Sequence, residues 1–276
     1  MAVSNQLTQK KQTFSAFITA DAVKNKINQM ISGKDGGKFI TSLISLVSNN
    51  PAIAECEHST ILSSALLGES LKLSPSPQLG QFYIVPYRDN NNDRTVATFQ
   101  IGYKGYIQLA MRSGYYRDID VMEIREGEYL GRDKFSGKPV IEFIEDENER
   151  ENLPIIGYFA YFELLNGFKK TLYWSKVKMV NHASEYSKSY TKDIKKGTKF
   201  SFWSKDFDGM AYKTILRQLI SKWGIMSIEF QTAIEKDMAL INKNNEPEFV
   251  DNIPEEENLL TTEERADLII EAEKKE

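Results

Sequence analysis

Cysteine occurs once in this chain, at Cys56, and histidine twice, at His58 and His182. One cysteine leaves no partner for an internal disulfide and too few sulfur ligands for a cysteine-based zinc cluster. Two histidines leave almost no material for histidine metal sites or a Ser-His-Asp arrangement. Neither a metal site nor a cofactor is expected. No apolar run approaches the length of a membrane span, and the opening MAVSNQLTQKKQTF lacks the apolar core of a secretory signal. A soluble, cytoplasmic protein is therefore expected. The stretch 33–39 (GKDGGKF) has glycines and lysines but not the G-x-x-x-x-G-K-[ST] spacing or a preceding strand, so it reads as a flexible turn.

What is abundant is charge, unevenly placed. The formal net charge is −4, yet residues 242–276 hold four Lys and Arg against twelve Asp and Glu, a net of −8, which leaves +4 on residues 1–241. Between Lys169 and Lys222 thirteen cations face four acids (Glu185, Asp193, Asp206, Asp208), a net of +9. A polyanion responds to that local potential rather than to whole-chain charge. The same segment interleaves aromatics with its lysines: Lys169, Lys170, Tyr173, Trp174, Lys176 and Lys178, then Tyr186, Lys188, Tyr190 and Lys192, then Lys195, Lys196, Lys199, Phe202, Trp203 and Lys205. Single nucleic-acid strands are held by such a combination, cations on phosphates and rings on bases. Taken singly, each large aromatic also fits a core.

Apolar periodicity predicts helices over 38–49, 59–71, 104–113, 175–187, 204–223 and 227–240. Strand-forming runs cover 81–87, 95–101, 115–124, 155–165 and 168–174, the last two joined by Asn166-Gly167, the strongest hairpin signal in the chain. Ser204 is the expected N-cap of the 204–223 helix. The acidic run 142–151 (EFIEDENERE) reads as a solvated loop facing away from any polyanion, and 188–202 (KSYTKDIKKGTKFSF) as a basic loop. The expected fold class is α+β: antiparallel sheet and hairpins flanked by helices, with a flexible acidic C-terminal tail. Residues 1–35 form an N-terminal arm, 36–241 the core, and 242–276 an acidic linker followed by a small helix.

Two further patterns bear on binding. Lys213 and Arg217 are four apart and share one helix face; they are either a cationic edge or a surface pair worth little. Gly102-Tyr103-Lys104-Gly105 sits between a strand and a helix, where glycines let backbone approach a phosphate, although helix-entry glycines are common for other reasons. Tyr106, Arg112, Tyr115 and Tyr116 flank it.

The blocks ALLGESLKLSPSPQLGQFYIVPY (65–87), FQIGYKGYIQLAMRSGYY (99–116) and FWSKDFDGMAYKTILRQLISKWG (202–224), in this order and spacing, resemble the RecT family of phage single-strand annealing proteins over residues 40–240. The resemblance implies binding of single-stranded DNA and annealing of complementary strands without ATP, in a ring or helical filament. It also implies a phage exonuclease and the host single-strand-binding protein as partners, the latter through the C-terminal region; the N-terminal arm is read as an oligomer contact. Within the matching blocks it carries DNA contact onto Tyr103, Lys104, Arg112, Lys205, Lys213 and Arg217. The charge pattern adds Lys169, Lys178, Lys188, Lys192 and Lys199, and base stacking falls to Tyr106, Tyr115, Trp174, Phe202 and Trp203. No catalytic residue is expected. The competing readings are a metal-dependent nuclease acting on the same DNA and a passive strand-coating protein.

Overall fold

A computed structural model describes residues 12–31, 34–89, 92–241 and 247–248. It divides into two compact units. Of the described residues, those up to 76, with 82–100 and from 236 onward, belong to the first, and 77–81 with 101–235 to the second.

The first unit opens with α1 (Phe14–Thr19), α2 (Asp21–Met30), α3 (Lys34–Ser48), α4 (Pro51–Ala54) and α5 (His58–Ser70), followed by the hairpin strands β1 (Phe82–Asp89) and β2 (Arg94–Ile101). Thr13 caps α1 through its hydroxyl, and Pro51 starts α4 at a position where no amide hydrogen is needed. Ile18, Ile27, Leu43, Ile61, Phe82 and Phe99 form its core. The N-terminal segment is therefore helical where described, with Ile18 and Ile27 fully buried. The 33–39 stretch departs from the expected turn: Lys34 begins α3, and Gly36 is buried against the Asn28 side chain, where a Cβ would collide. Helix α5 is tied to β2 by hydrogen bonds, Ser64 Oγ donating to the Ala97 carbonyl at 3.1 Å and the Ala97 amide to Thr60 Oγ1 at 2.8 Å.

The second unit contains α6 (Tyr103–Arg112), β3 (Tyr116–Arg125), β4 (Tyr129–Arg132), β5 (Pro139–Ile141), α7 (Glu147–Glu151), β6 (Ile155–Leu164), β7 (Lys169–Ser175), α8 (Lys176–Tyr186), α9 (Lys188–Lys196), α10 (Phe202–Lys205), α11 (Phe207–Trp223) and α12 (Ile228–Glu235). Strands β3-β6-β7 form an antiparallel sheet in that order. Its register places Glu123, Tyr158 and Trp174 on one face and Met122, Phe159 and Tyr173 on the other. Helices α6, α8 and α11 pack on this sheet. The chain then returns to the first unit, where β8 (Leu240–Ile241) pairs with β9 (Pro247–Glu248). The architecture is the expected α+β. The rest of the acidic linker and the terminal helix expected at 242–276 lie outside the described residues.

One local expectation holds with a different turn, and three need correction. The β6–β7 hairpin forms, but Glu163 pairs with Lys169 and the Leu164 amide donates to the Phe168 carbonyl, leaving a three-residue loop. Only Gly167 there has positive φ, at 84°, so this is a turn ending in a glycine bulge and not the two-residue Asn-Gly type. The acidic run is not all loop: Asp146 accepts from the amides of Asn148 and Glu149 and so starts α7. The basic run is not a loop either. Ser187 caps α9 by accepting from the Tyr190 amide, and Gly197, at φ 64°, ends it. Finally, the helix expected over 204–223 is broken. Ser201 caps α10, and Asp206, accepting from the Gly209 amide, caps α11.

Candidate nucleic-acid interface

Helix α9 turns four lysines outward. Lys188, Lys192, Lys195 and Lys196 recur at spacings that share a face, and all are exposed, whereas Asp193, at the edge of that face, is 3% exposed. Lys199 and Lys205 follow, both exposed. None of these six cations makes an ion pair among the described residues.

Asp193 holds this face in shape. Its carboxylate accepts from Thr198 Oγ1 at 2.6 Å, the Ser201 amide at 2.6 Å and Ser204 Oγ at 2.8 Å. Burial opposes its ionisation, but these donors win and keep the carboxyl far below the usual carboxylate range. The connection 197–201 is thereby pinned, presenting Lys199 and a 77% exposed Phe200. Beneath it run rings in sequence: Tyr190 and Trp203 against Phe207, Phe207 against Tyr158, Tyr158 against Tyr212, and Tyr212 against Tyr103.

A second group forms where α8 meets the sheet. Lys178 Nζ lies 4.3 Å over the Trp174 ring, and the His182 ring is within ring-contact distance of Trp174 and Tyr186. Burial lowers the His182 pKa; Glu185 opposes that, and Lys178 and Arg217 add to it. Both cations thus act electrostatically on one imidazole.

The other expected contacts scatter. Lys169 lies on the sheet face opposite Trp174 and is paired 2.8 Å from Glu163, which Arg117 also engages at 2.9 Å. Its ammonium is thus committed, and Glu163 raises its pKa. Tyr103 is half-buried, and burial, then Asp206 and Asp120, raise its phenol pKa. Lys104 and Arg112 are exposed at opposite ends of α6. In the Gly102–Gly105 turn the Gly102 amide donates to the Gln81 carbonyl at 2.9 Å, and a Cβ on Gly105 would collide with that carbonyl. These glycines serve packing.

Burial reassigns four further residues. Lys213 is 5% exposed, because α11 is covered by both the sheet and α6. Tyr106 is fully buried against Phe230, and Trp174 and Trp203 are 9% and 7% exposed. These four are packing residues rather than open contact surfaces. Phe202 is half-buried, with Lys205 Nζ 5.9 Å over its ring, and Tyr115 is 48% exposed. Lys195, Lys196, Phe200 and Tyr186 were not among the expected contacts. The spacing of 188, 192, 195 and 196 was the available signal for the two lysines; nothing in the sequence marks Phe200 or Tyr186 as outward.

A pinned α+β unit carrying an exposed lysine stripe over packed rings presents the kind of local charge that attracts polyanions. The chain belongs to the RecT family, whose model matches residues 37–251. It is 36% identical over 253 residues to the uncharacterized protein YqaK of Bacillus subtilis (strain 168), covering 89% of this chain and 81% of YqaK. It is 30% identical over 195 residues to Protein RecT of Escherichia coli (strain K12), covering 68% of this chain and 65% of RecT. Family membership makes it a DNA-binding protein of recombination and single-strand annealing. Among the described residues, no helix is long and apolar enough to cross a membrane.

Proposed function

We propose that the chain binds single-stranded DNA and anneals complementary strands without ATP and without hydrolysis, as an oligomer in the cytoplasm of a bacterial host. The observation that carries this reading is the α9 stripe: four exposed lysines without ion-pair partners among the described residues, on a helix held by one buried carboxylate. Lys188, Lys192, Lys195, Lys196, Lys199 and Lys205 fix a strand by its phosphates. Phe200, Tyr186 and Tyr115 have ring surface free to meet bases. Lys178 on α8 and Arg217 on α11 extend the cationic surface. Lys104 and Arg112 remain contacts at the two ends of α6.

Annealing follows from charge and access. Two strands repel, and cations on one protein surface neutralise that repulsion while leaving the pairing edges of the bases open, so complementarity is tested by the bases themselves. Host single-strand-binding protein and a phage exonuclease are the proposed partners.

A fluorescence assay with labelled strands tests this. Complementary strands should pair faster with the protein and no nucleotide, non-complementary strands should not, and strand length should be unchanged with Mg²⁺. Replacing Lys188, Lys192, Lys195 and Lys196 by alanine should reduce the salt dependence of binding, the slope of log K against log salt, by about 2.8, at ~0.7 per phosphate contact. Cleavage of the strand, or acceleration without complementarity, would overturn the reading in favour of a nuclease or a passive coat.

A further inference from the structure

The far end of α11 carries an arrangement that the stripe does not use. Trp223, the last residue of the helix, has two ammonium groups over its ring: Lys170 Nζ and Lys222 Nζ, each 4.7 Å from the centroid. The two lysines come from different elements, β7 and α11, which pack against each other. Lys222 in the last turn is accounted for by the negative end of the helix dipole. Lys170 is not, since it arrives from the sheet. Neither lysine has an ion pair, and the indole N–H has no hydrogen-bond partner, among the described residues. Two like charges converging on one half-buried ring, with a free N–H donor beside them, leave an anion as the missing component.

We propose that Trp223, Lys170 and Lys222 form a second nucleotide site. The two ammonium groups take a phosphate, and the half-buried indole meets the attached base. Cations and a ring together give this site the chemistry by which single strands are held. The site rests on the single-strand-binding reading above but shares no residue with α9. Helix α11 has 17 residues, so its two ends are roughly 25 Å apart at 1.5 Å per residue. A strand at B-form spacing of 3.4 Å per nucleotide covers that length in about seven nucleotides. The site thus meets DNA well away from the α10 end of the helix.

The chain has three tryptophans, Trp174, Trp203 and Trp223. Two of them are buried, so titrating the wild-type protein with oligothymidylate should quench chiefly Trp223, and Trp223→Phe should remove most of that quenching. Lys170→Ala with Lys222→Ala, two side chains whose loss spares the core, should lower the salt slope by about 0.7 for the one phosphate they share. Trp223→Ala should weaken binding about five-fold or more; Trp223→Phe should restore part of it, and thermal melting checks that each variant folds. Wild-type quenching that survives Trp223→Phe, together with an unchanged slope in the lysine pair, would overturn this site. If the α9 variant still loses affinity in that case, the single-strand reading stands and only the second site falls. Absence of any single-strand binding by the wild type would overturn both.

Discussion

Two runs of like charge behave in parallel, and both differ from a solvated loop. The acidic run 142–151 contains one cation, Arg150, and the basic run 188–196 one anion, Asp193. In each the minority charge is the one turned inward. Arg150 donates to Glu128, whose side chain is fully buried, at 2.6 Å, and to Glu123 at 3.3 Å; it also bonds the Glu123 carbonyl at 3.0 Å. Asp193 gathers the amide and hydroxyls of the 198–204 segment. The majority charges stay in water. A run of one sign cannot bury its own members without an opposite partner, so the odd residue is the one that can anchor it. The two runs differ in what the anchor serves: Arg150 fastens the acidic segment to the sheet, and Asp193 shapes a cationic surface.

The comparison breaks most readily at Arg150. Arg150→Ala strands Glu128 in the interior and should cost about 3–5 kcal/mol of stability, read from urea unfolding. A loss under about 1 kcal/mol would show that Arg150 is not an anchor. Asp193→Ala should cost roughly 2–3 kcal/mol by leaving three donors unmet, and should speed amide exchange at Ser201. It should also reduce DNA affinity although Asp193 repels phosphate, an outcome that separates shaping from contact.

Acid should reach both runs, through Glu123, which Arg150 engages, and through Asp193. Burial raises the Glu123 pKa, but the Tyr212 hydroxyl and Arg150 outweigh it and hold the carboxyl below its ordinary 4.5. Asp193 is held below its ordinary 3.8. Both are depressed, so their stabilisation is present above those ordinary values and is lost as pH falls through the folded-state ones. Melting temperature should decline below about pH 4, and Asp193→Asn should flatten the decline. An unchanged pH profile in that variant would exclude Asp193 as a source.

The smallest effects belong to the majority charges. Alanine at Lys188 or Lys192 should change stability by no more than about 0.5 kcal/mol while altering the salt slope. Glutamine at Glu145 and Glu149 should leave both stability and annealing unchanged. If those substitutions tightened DNA binding measurably, the acidic segment would lie closer to the strand than the basic one requires.

Much of this was legible beforehand for a physical reason. The helix over 104–113 and the strands on either side of Asn166-Gly167 follow from periodicity and turn residues, which are local properties. The cation excess between Lys169 and Lys222 is likewise a matter of counting. Helical spacing placed Lys213 and Arg217 on one face, but whether that face meets water depends on what packs there. Alternation along β7 separates Lys169 from Lys170, and the Glu163 opposite Lys169 then decides that only one of the two is paired. Tyr106, Trp174 and Trp203 look in sequence like Tyr115 and Phe200; their burial is set by neighbours far along the chain.

Composition and local pattern by themselves determined that this is an α+β protein with a strongly cationic segment, because propensity, turn chemistry and charge act over a few residues. Which lysines face solvent, and that Asp193 holds them there, was decided only by tertiary packing. Burial and pairing are properties of residues brought together from distant positions, and linear spacing does not encode them.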